Sequence, residues 1–199
     1  MGYNFTIAVA RHGQTESNVK SLWVGRGDDS LTFVGREQSR QLAFSLQTYG
    51  FDFIVTSDLI RAVQTAEIVS DVLKIPIIAK TQMIRDRDYG NIEGMTTEEI
   101  ARRYGIRMSS LSKEIESISH AEPVSSVITR VRNFLQSFSQ IFEGKKVIVI
   151  THGAFIRAFY ELYIGKSDGI RFTNCSNYIV GFLNGSSEVI RDLAFVGNQ

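Results

Sequence analysis

The chain has 199 residues, 43% apolar and 22% charged, the balance of a soluble globular protein long enough to bury a substantial core. A formal net charge of +1 excludes a global field that gathers nucleic acid or an acidic membrane, so any positive potential must come from local clustering. The single cysteine, Cys175, excludes an intramolecular disulfide and suits a reducing cytoplasm, the expected location, and no apolar run approaches a membrane span.

In chain order, residues 5–10 form the first apolar, β-rich run and are predicted as a buried strand. No cleavable signal is expected, because the apolar stretch from Ile7 to Ala10 leads straight into a histidine motif. The opening Met1-Gly2-Tyr3-Asn4-Phe5-Thr6 fits a loose myristoylation pattern, but Phe5 and Thr6 are read as the start of that strand. A helical pattern over 33–47 precedes a strand at 53–56, a helix at 59–73 and a strand at 75–79. Thr96 and Glu99 form a capping box for a short helix reaching Tyr104. Pro123 suits the first turn of a long helix over 124–142. A strand at 147–151 and a helix at 154–164 follow. The strands expected at 178–183 and 188–195 flank Asn184-Gly185, a hairpin signal. The whole predicts an α/β three-layer sandwich, one domain over 1–199, with a mostly parallel central sheet and an antiparallel edge strand.

Of three histidines, two end strands in similar segments. Thr6-Ile-Ala-Val-Ala-Arg-His12-Gly13 is echoed by Val147-Ile-Val-Ile-Thr-His152-Gly153. The carboxyl ends of parallel strands line the ligand crevice of an open α/β sheet, and glycine after each histidine allows a sharp bend and a close ligand approach. The strand at 53–56 ends at Ser57-Asp58, with Arg61 in the first turn of the next helix. Arg11, His12, Arg61 and His152 are therefore expected to line one pocket, cationic in a nearly neutral chain. Arginine forks match phosphate oxygens, so the pocket suits a phosphoryl group. Singly, a strand-end histidine is a hydrogen-bonded structural group and a helix arginine a solvated one. Their coincidence at one sheet edge argues for a site. Zinc on the two histidines would lack the histidine-rich helix or cysteine pair that supplies further ligands.

The segment Arg11-His12-Gly13-Gln14-Thr15-Glu16-Ser17-Asn18 resembles the signature of the histidine phosphatase superfamily, in its phosphoglycerate-mutase-like branch. Three letters alone carry little specificity. However, Gly27-Asp28-Asp29-Ser30-Leu31-Thr32 resembles the family's following loop, and Ser57-Asp58-Leu59-Ile60-Arg61-Ala62-Val63-Gln64-Thr65-Ala66 its second arginine motif. Tyr89-Gly90-Asn91-Ile92-Glu93-Gly94 and Thr151-His152-Gly153-Ala154-Phe155-Ile156-Arg157 complete the order, so the resemblance spans nearly the whole chain.

The resemblance implies a metal-independent enzyme without a cofactor, acting through phosphohistidine at His12. Arg11, Arg61 and His152 would hold the equatorial oxygens and stabilise growing charge. Asn18 would add a neutral hydrogen bond, with Gln14 and Thr15 near enough to help. Gly13, Arg26, Gly27, Tyr89 and Gly153 complete the expected phosphate and substrate contacts. Before its tyrosine-glycine motif the family usually has glutamate, whereas this chain has Ile84-Arg85-Asp86. Asp86, shorter by one methylene or about 1.3 Å, is thus the candidate acid. Asp88, Asp28 and Asp29 are the alternatives, and a salt bridge to Arg85 or Arg87 is the structural use of Asp86. Glu122 is read as the charge at the N-terminus of the long helix, and His120 as a surface residue.

Mutases of this family carry a longer insertion with paired arginines beside a tryptophan, and a C-terminal lid. Here the substrate-facing insert, about 95–121, is short, and its Arg102-Arg103 pair lies on a helix with Tyr104. A phosphatase acting on a small phosphorylated metabolite is therefore the expectation, with mutase-type transfer and a catalytically weak phospho-ligand-binding module as alternatives. No nucleic acid or membrane partner is expected, and a homodimer is left open. Trp23, Arg26, Arg102, Arg103, Arg107 and Lys113 are placed to read the leaving group. Equally, Tyr104, Met108, Leu111, Ile115 and Ile118 make a helical core stripe that leaves the basic residues solvated.

Overall fold

Side chains two apart along a strand share one face of a sheet, and that alternation sorts the apolar residues of this chain into two layers. The computed structural model describes residues 4–183 and 186–193. In chain order the elements are β1 (Phe5–Arg11), α1 (Glu16–Val19), α2 (Phe33–Leu46), β2 (Phe53–Ser57), α3 (Ile60–Leu73) and β3 (Ile77–Thr81). They continue with α4 (Thr97–Tyr104), α5 (Leu111–Ser119), α6 (Val124–Phe142), β4 (Lys146–Thr151), α7 (Gly153–Tyr163), β5 (Asn177–Leu183) and β6 (Ser186–Leu193). The sheet order is β3-β2-β4-β1-β5-β6. The first four strands are mutually parallel, while β5 runs antiparallel to both β1 and β6. The strand running against the rest is thus β5, one place in from the edge.

Val9, Val55, Val149 and Val180 face α6 and α7, packing on Val131, Phe134, Phe155 and Phe159. Ala8, Ile54, Ile148 and Ile179 face α2 and α3, packing on Leu42, Leu46, Ala62 and Val69. Ile92, Ile100, Leu111 and Ile115 form a third, separate cluster with Trp23 and Tyr89 beside it. The stripe expected from Tyr104 to Ile118 is largely realised there, but Met108 is exposed.

The strand at 75–79 is displaced to Ile77–Thr81 and is half-buried rather than buried. Pro76 has no amide to donate, so it contributes only its carbonyl, which accepts from the Ile54 amide at 2.9 Å. β3 is also an edge strand, with a neighbour on one side only. The four-residue α1 was not predicted, being too short for a periodic pattern; Thr15 and Asn18 form its capping box. Asn184-Gly185, Ala194-Phe195 and Met1-Gly2-Tyr3 lie outside the described residues.

Parallel pairing of β1 with β4 and of β4 with β2 aligns Arg11 with Thr151 and Thr56 with Ile150. Three carboxyl ends therefore stand side by side. Neither Gly13 nor Gly153 has a positive φ, yet the chain turns at His152 from β4 straight into α7, which begins at Gly153. Gly13 is instead set by packing, since a Cβ there would lie 2.3 Å from the Gly35 carbonyl of α2. A Cβ on Gly35 would lie 2.1 Å from the Gln14 carbonyl. Alanine normally stabilises a helix interior by about 1 kcal/mol over glycine. At this contact Gly35→Ala is expected to destabilise by about 1–3 kcal/mol, because backbone must move. Urea unfolding checks the sign, and an increase in midpoint would contradict the contact.

Candidate active site

His12 follows the last residue of β1 and is 2% exposed. Its backbone is fixed on both sides: the amide donates to Thr151 O at 3.0 Å, and the carbonyl accepts from Asn174 Nδ2 at 3.0 Å. Nδ1 lies 2.7 Å from the Gly13 carbonyl oxygen. Two lone pairs at that distance would repel, so Nδ1 carries the proton and Nε2 the free pair. Arg61 Nε donates toward Nε2 at 3.3 Å.

Arg61 is 1% exposed, not a solvated helix residue. Its Nη1 donates to Gly27 O at 2.8 Å and its Nη2 to Gly25 O at 2.6 Å, while Asp86 Oδ2 lies 3.7 Å from Nη2. Gly25 must be glycine, with φ +56° and a Cβ position 1.8 Å from Glu93 Oε1. Arg11 donates through Nη1 to Phe172 O at 2.7 Å. His152 is fully buried, its Nε2 2.9 Å from Ser57 Oγ and its ring centroid 5.1 Å from that of His12. Among the described residues, Arg11 Nε and His152 Nδ1 are buried without a hydrogen-bond partner. An unpartnered buried polar atom is costly, and Arg11, Arg61, His12 and His152 are close electrostatic neighbours, so an anion held among them would supply the missing partner. No three His, Cys, Asp or Glu side chains among the described residues converge as metal ligands.

Asp86 lies beside Arg61, and its side chain is 15% exposed, so it is reachable from solvent. Its carboxylate accepts from the Arg87 amide at 3.0 Å and from the Ala154 amide in the first turn of α7. Burial raises its pKa above 3.8, against the pull of Arg61 and Arg11. Neither Arg85 nor Arg87 pairs with it. Arg85 forks onto Asp58 at 2.7 and 2.6 Å, and Arg87 reaches Glu116 at 2.9 Å. The alternative acids are engaged elsewhere or exposed. Asp88 accepts from the Gly90 amide at 2.8 Å and Asp29 from the Ser17 amide at 3.2 Å, while Asp28 is exposed.

Several expected ligand contacts have structural roles. Thr15 Oγ1 caps α1, and Gln14 Oε1 accepts from Thr32 Oγ1 at 3.0 Å. Asn18 uses Oδ1 to accept from the Thr15 amide and Asn174 Nδ2, keeping its own Nδ2 for other partners. Gly27 holds Arg61 through its carbonyl. A Cβ on Gly153 would meet only Arg11 Nε, at 3.8 Å. Tyr89 packs edge-on against Trp23 at 4.8 Å, and burial raises its phenol pKa. Arg26 is 3.4 Å from both Asp88 and Glu122. Glu122 pairs with Arg130 at 2.7 Å rather than serving the helix terminus. Arg102, Arg103, Arg107 and His120 are exposed; the Lys113 side chain lies outside the described residues. Sequence reasoning missed Ser57, Arg130 and Asn174. Ser57 lay in a quoted motif, whereas Asn174 sits in an irregular loop with no periodic signal.

A family model for the histidine phosphatase superfamily (branch 1) matches residues 7–192, and the chain belongs to that family. Similar relatives include an uncharacterized phosphatase, PhoE, of Bacillus subtilis (strain 168), 30% identical over 171 residues that span 86% of this chain and 83% of the relative. A 2,3-bisphosphoglycerate-dependent phosphoglycerate mutase of Cytophaga hutchinsonii is 29% identical over 158 residues, 76% of this chain and 74% of its own. Among solved structures, Bacillus stearothermophilus YhfR superposes with a TM-score of 0.83 at 26% identity, covering 95% of this chain and 98% of that one. The family includes both phosphatases and mutases.

Burial first, and the neighbouring guanidiniums next, hold both site histidines well below their ordinary pKa of 6.5. The unfolded chain then binds more protons than the folded one as pH falls through 6.5. Stability is complete above that value and declines below it, by about 1.4 kcal/mol per pH unit for each histidine, until the folded pKa is reached. Asp86 contributes with the opposite sign, because its raised carboxyl takes up a proton before the unfolded one does as pH falls, but it is one group against two. Urea stability is therefore expected to fall from pH 6.5 to 5, and His152→Gln to remove one of the two contributions. An unchanged slope in that variant would contradict the buried neutral imidazole.

Proposed function

We propose that the protein is a metal-independent phosphomonoester hydrolase acting on a small phosphorylated metabolite through a phosphohistidine intermediate. The observation that carries this reading is the His12 ring, fixed at Nδ1 by Gly13 O so that Nε2 is the basic nitrogen, set 3.3 Å from Arg61 Nε with Arg11 and His152 as close neighbours. In the first step Nε2 attacks phosphorus, and the ester oxygen departs with the proton of Asp86. Charge on the equatorial oxygens is met by Arg11, Arg61 and the Nδ1–H of His152, in the tautomer that takes the Ser57 hydroxyl proton at Nε2 while Ser57 Oγ accepts from the Leu59 amide. In the second step the Asp86 carboxylate takes a proton from water, the hydroxide oxygen bonds to phosphorus, and the N–P electrons return to Nε2.

The raised pKa of Asp86 supports its role as acid, and the depressed pKa of His12 supports its role as nucleophile. The insert supports hydrolysis over transfer. Arg102 and Arg103 are exposed, and Arg103 lies along Tyr104 and Met95 of its own helix region. The mutases among the relatives favour a second reading, phosphoryl return to a bound phosphoglycerate. Inorganic phosphate release from a panel of phosphoesters, set against interconversion of phosphoglycerates, separates the two.

His12→Ala is expected to abolish turnover in that assay, with and without EDTA, and to remove a trapped label that is acid-labile and alkali-stable. Label on serine, or activity lost to EDTA and restored by zinc, would overturn the mechanism.

Asp86→Asn is expected to slow phosphorylation of His12 by about 10²- to 10⁴-fold for alkyl phosphates and much less for p-nitrophenyl phosphate, whose leaving group needs little protonation. Equal losses on both would deny Asp86 the leaving-group role.

A further inference from the structure

Asp86 follows a single 3-10 turn, Gln82–Ile84, on the connection between β3 and α4, and is itself in neither a strand nor a helix. Its backbone is held from outside. Arg130, two turns into α6, donates through Nη1 to Met83 O at 3.0 Å and Arg85 O at 2.9 Å, and through Nη2 to Asp86 O at 3.3 Å. The same guanidinium is gripped by Glu122, with Nε to Oε1 at 2.7 Å and Nη2 to Oε2 at 2.8 Å. Every face of the fork is thus used, and three of its bonds end on the stretch that carries Asp86. Glu122 adds to the grip, since its amide donates to Asp88 O at 2.9 Å and its carbonyl accepts from Arg87 Nε at 2.6 Å. Thr151 anchors the near end, donating to Ile84 O at 2.7 Å.

We propose that the Arg130–Glu122 pair is a positioning device for the acid: it sets the backbone of residues 83–86 against α6 so that the short side chain of Asp86 reaches the leaving oxygen. The inference rests on the proposed role of Asp86. Arginine is required rather than any cation, because only a planar fork reaches two carboxylate oxygens and three carbonyls at once. Lysine keeps the charge and loses the fork. A carboxyl group displaced by about 1 Å can forfeit about 10²-fold in rate, so the acid-dependent step registers the loss of the clamp.

The test compares Arg130→Lys with the wild-type chain on an alkyl phosphate and on p-nitrophenyl phosphate, with Asp86→Asn and the double variant alongside. The expected result is a fall of about tenfold or more in the alkyl-to-aryl ratio of kcat/KM, within the range that acid assistance supplies. In the Asp86→Asn background the same substitution should leave that ratio unchanged. A merely structural role for Arg130 would lower both substrates together and keep the ratio. Glu122→Gln, which keeps the shape and loses the charge, is the second variant should Arg130→Lys fail to fold; its ratio is expected to fall in the same direction. An unchanged ratio in the folded variants, with a clear leaving-group effect in Asp86→Asn, overturns the positioning role alone. No leaving-group effect in Asp86→Asn overturns the underlying assignment instead.

Discussion

The whole upper edge of the sheet is organised around keeping the charge of Arg61 out of water. A buried guanidinium without partners would cost several kcal/mol. Here the Gly25 and Gly27 carbonyls close on it, His12 Nε2 accepts from it, and Asp86 stands at salt-bridge distance. Each of those groups imposes a demand further away. Gly25 has to run at positive φ against Glu93, whose carboxylate in turn accepts from the Arg26 and Tyr89 amides at 3.1 and 3.0 Å. Asp86 has to be brought in from a stretch with no sheet pairing. His12 has to remain neutral, which burial beside two guanidiniums ensures.

Burial disfavours the charge of both Arg11 and Arg61, and the nearby Asp86 carboxylate offsets only part of it, so both guanidinium pKa values stay lowered and a further anion between them would be favoured. The hydrogen bonds of Arg11 to Phe172 O and of Arg61 to the two glycine carbonyls keep the guanidiniums in place without neutralising them. A phosphoryl group held there would meet fixed positive charge around its oxygens, with little reorganisation left to do.

Much of this was legible before any coordinates. The β1, β2 and β4 runs are apolar on both faces because both faces are covered, and α6 carries an unbroken apolar stripe, so periodicity placed them within a residue or so. Arg11, His12, Arg61 and His152 were found because strand ends in a parallel sheet converge by topology. Legibility failed where position depends on a single local exception or on a distant partner. Pro76 moved β3, Glu122 turned to the Arg130 and Ser126 side chains of α6 instead of the free amides at its start, and Thr15 spent its hydroxyl on a helix too short to announce itself. Gly13 has a further reason to be glycine that the sequence did not show. Gly13 answers to Gly35 across a helix contact, which no spacing within either segment reveals.

The third apolar cluster has a different kind of consequence. Ile92, Ile100, Leu111 and Ile115 pack on one another with Trp23 and Tyr89, apart from the two layers that cover the sheet. Trp23 Nε1 donates to Thr97 Oγ1 at 3.2 Å, tying the loop after α1 to the start of α4. α4 and α5 thereby carry an interior of their own, stapled to the loop after α1 and, through the Arg87–Glu116 pair, to the residue after Asp86. Their outer face, where Arg102, Arg103 and Arg107 stand exposed, contributes no side chain to the two layers that cover the sheet. Such a scaffold can diversify what it admits while the machinery beneath stays as it is.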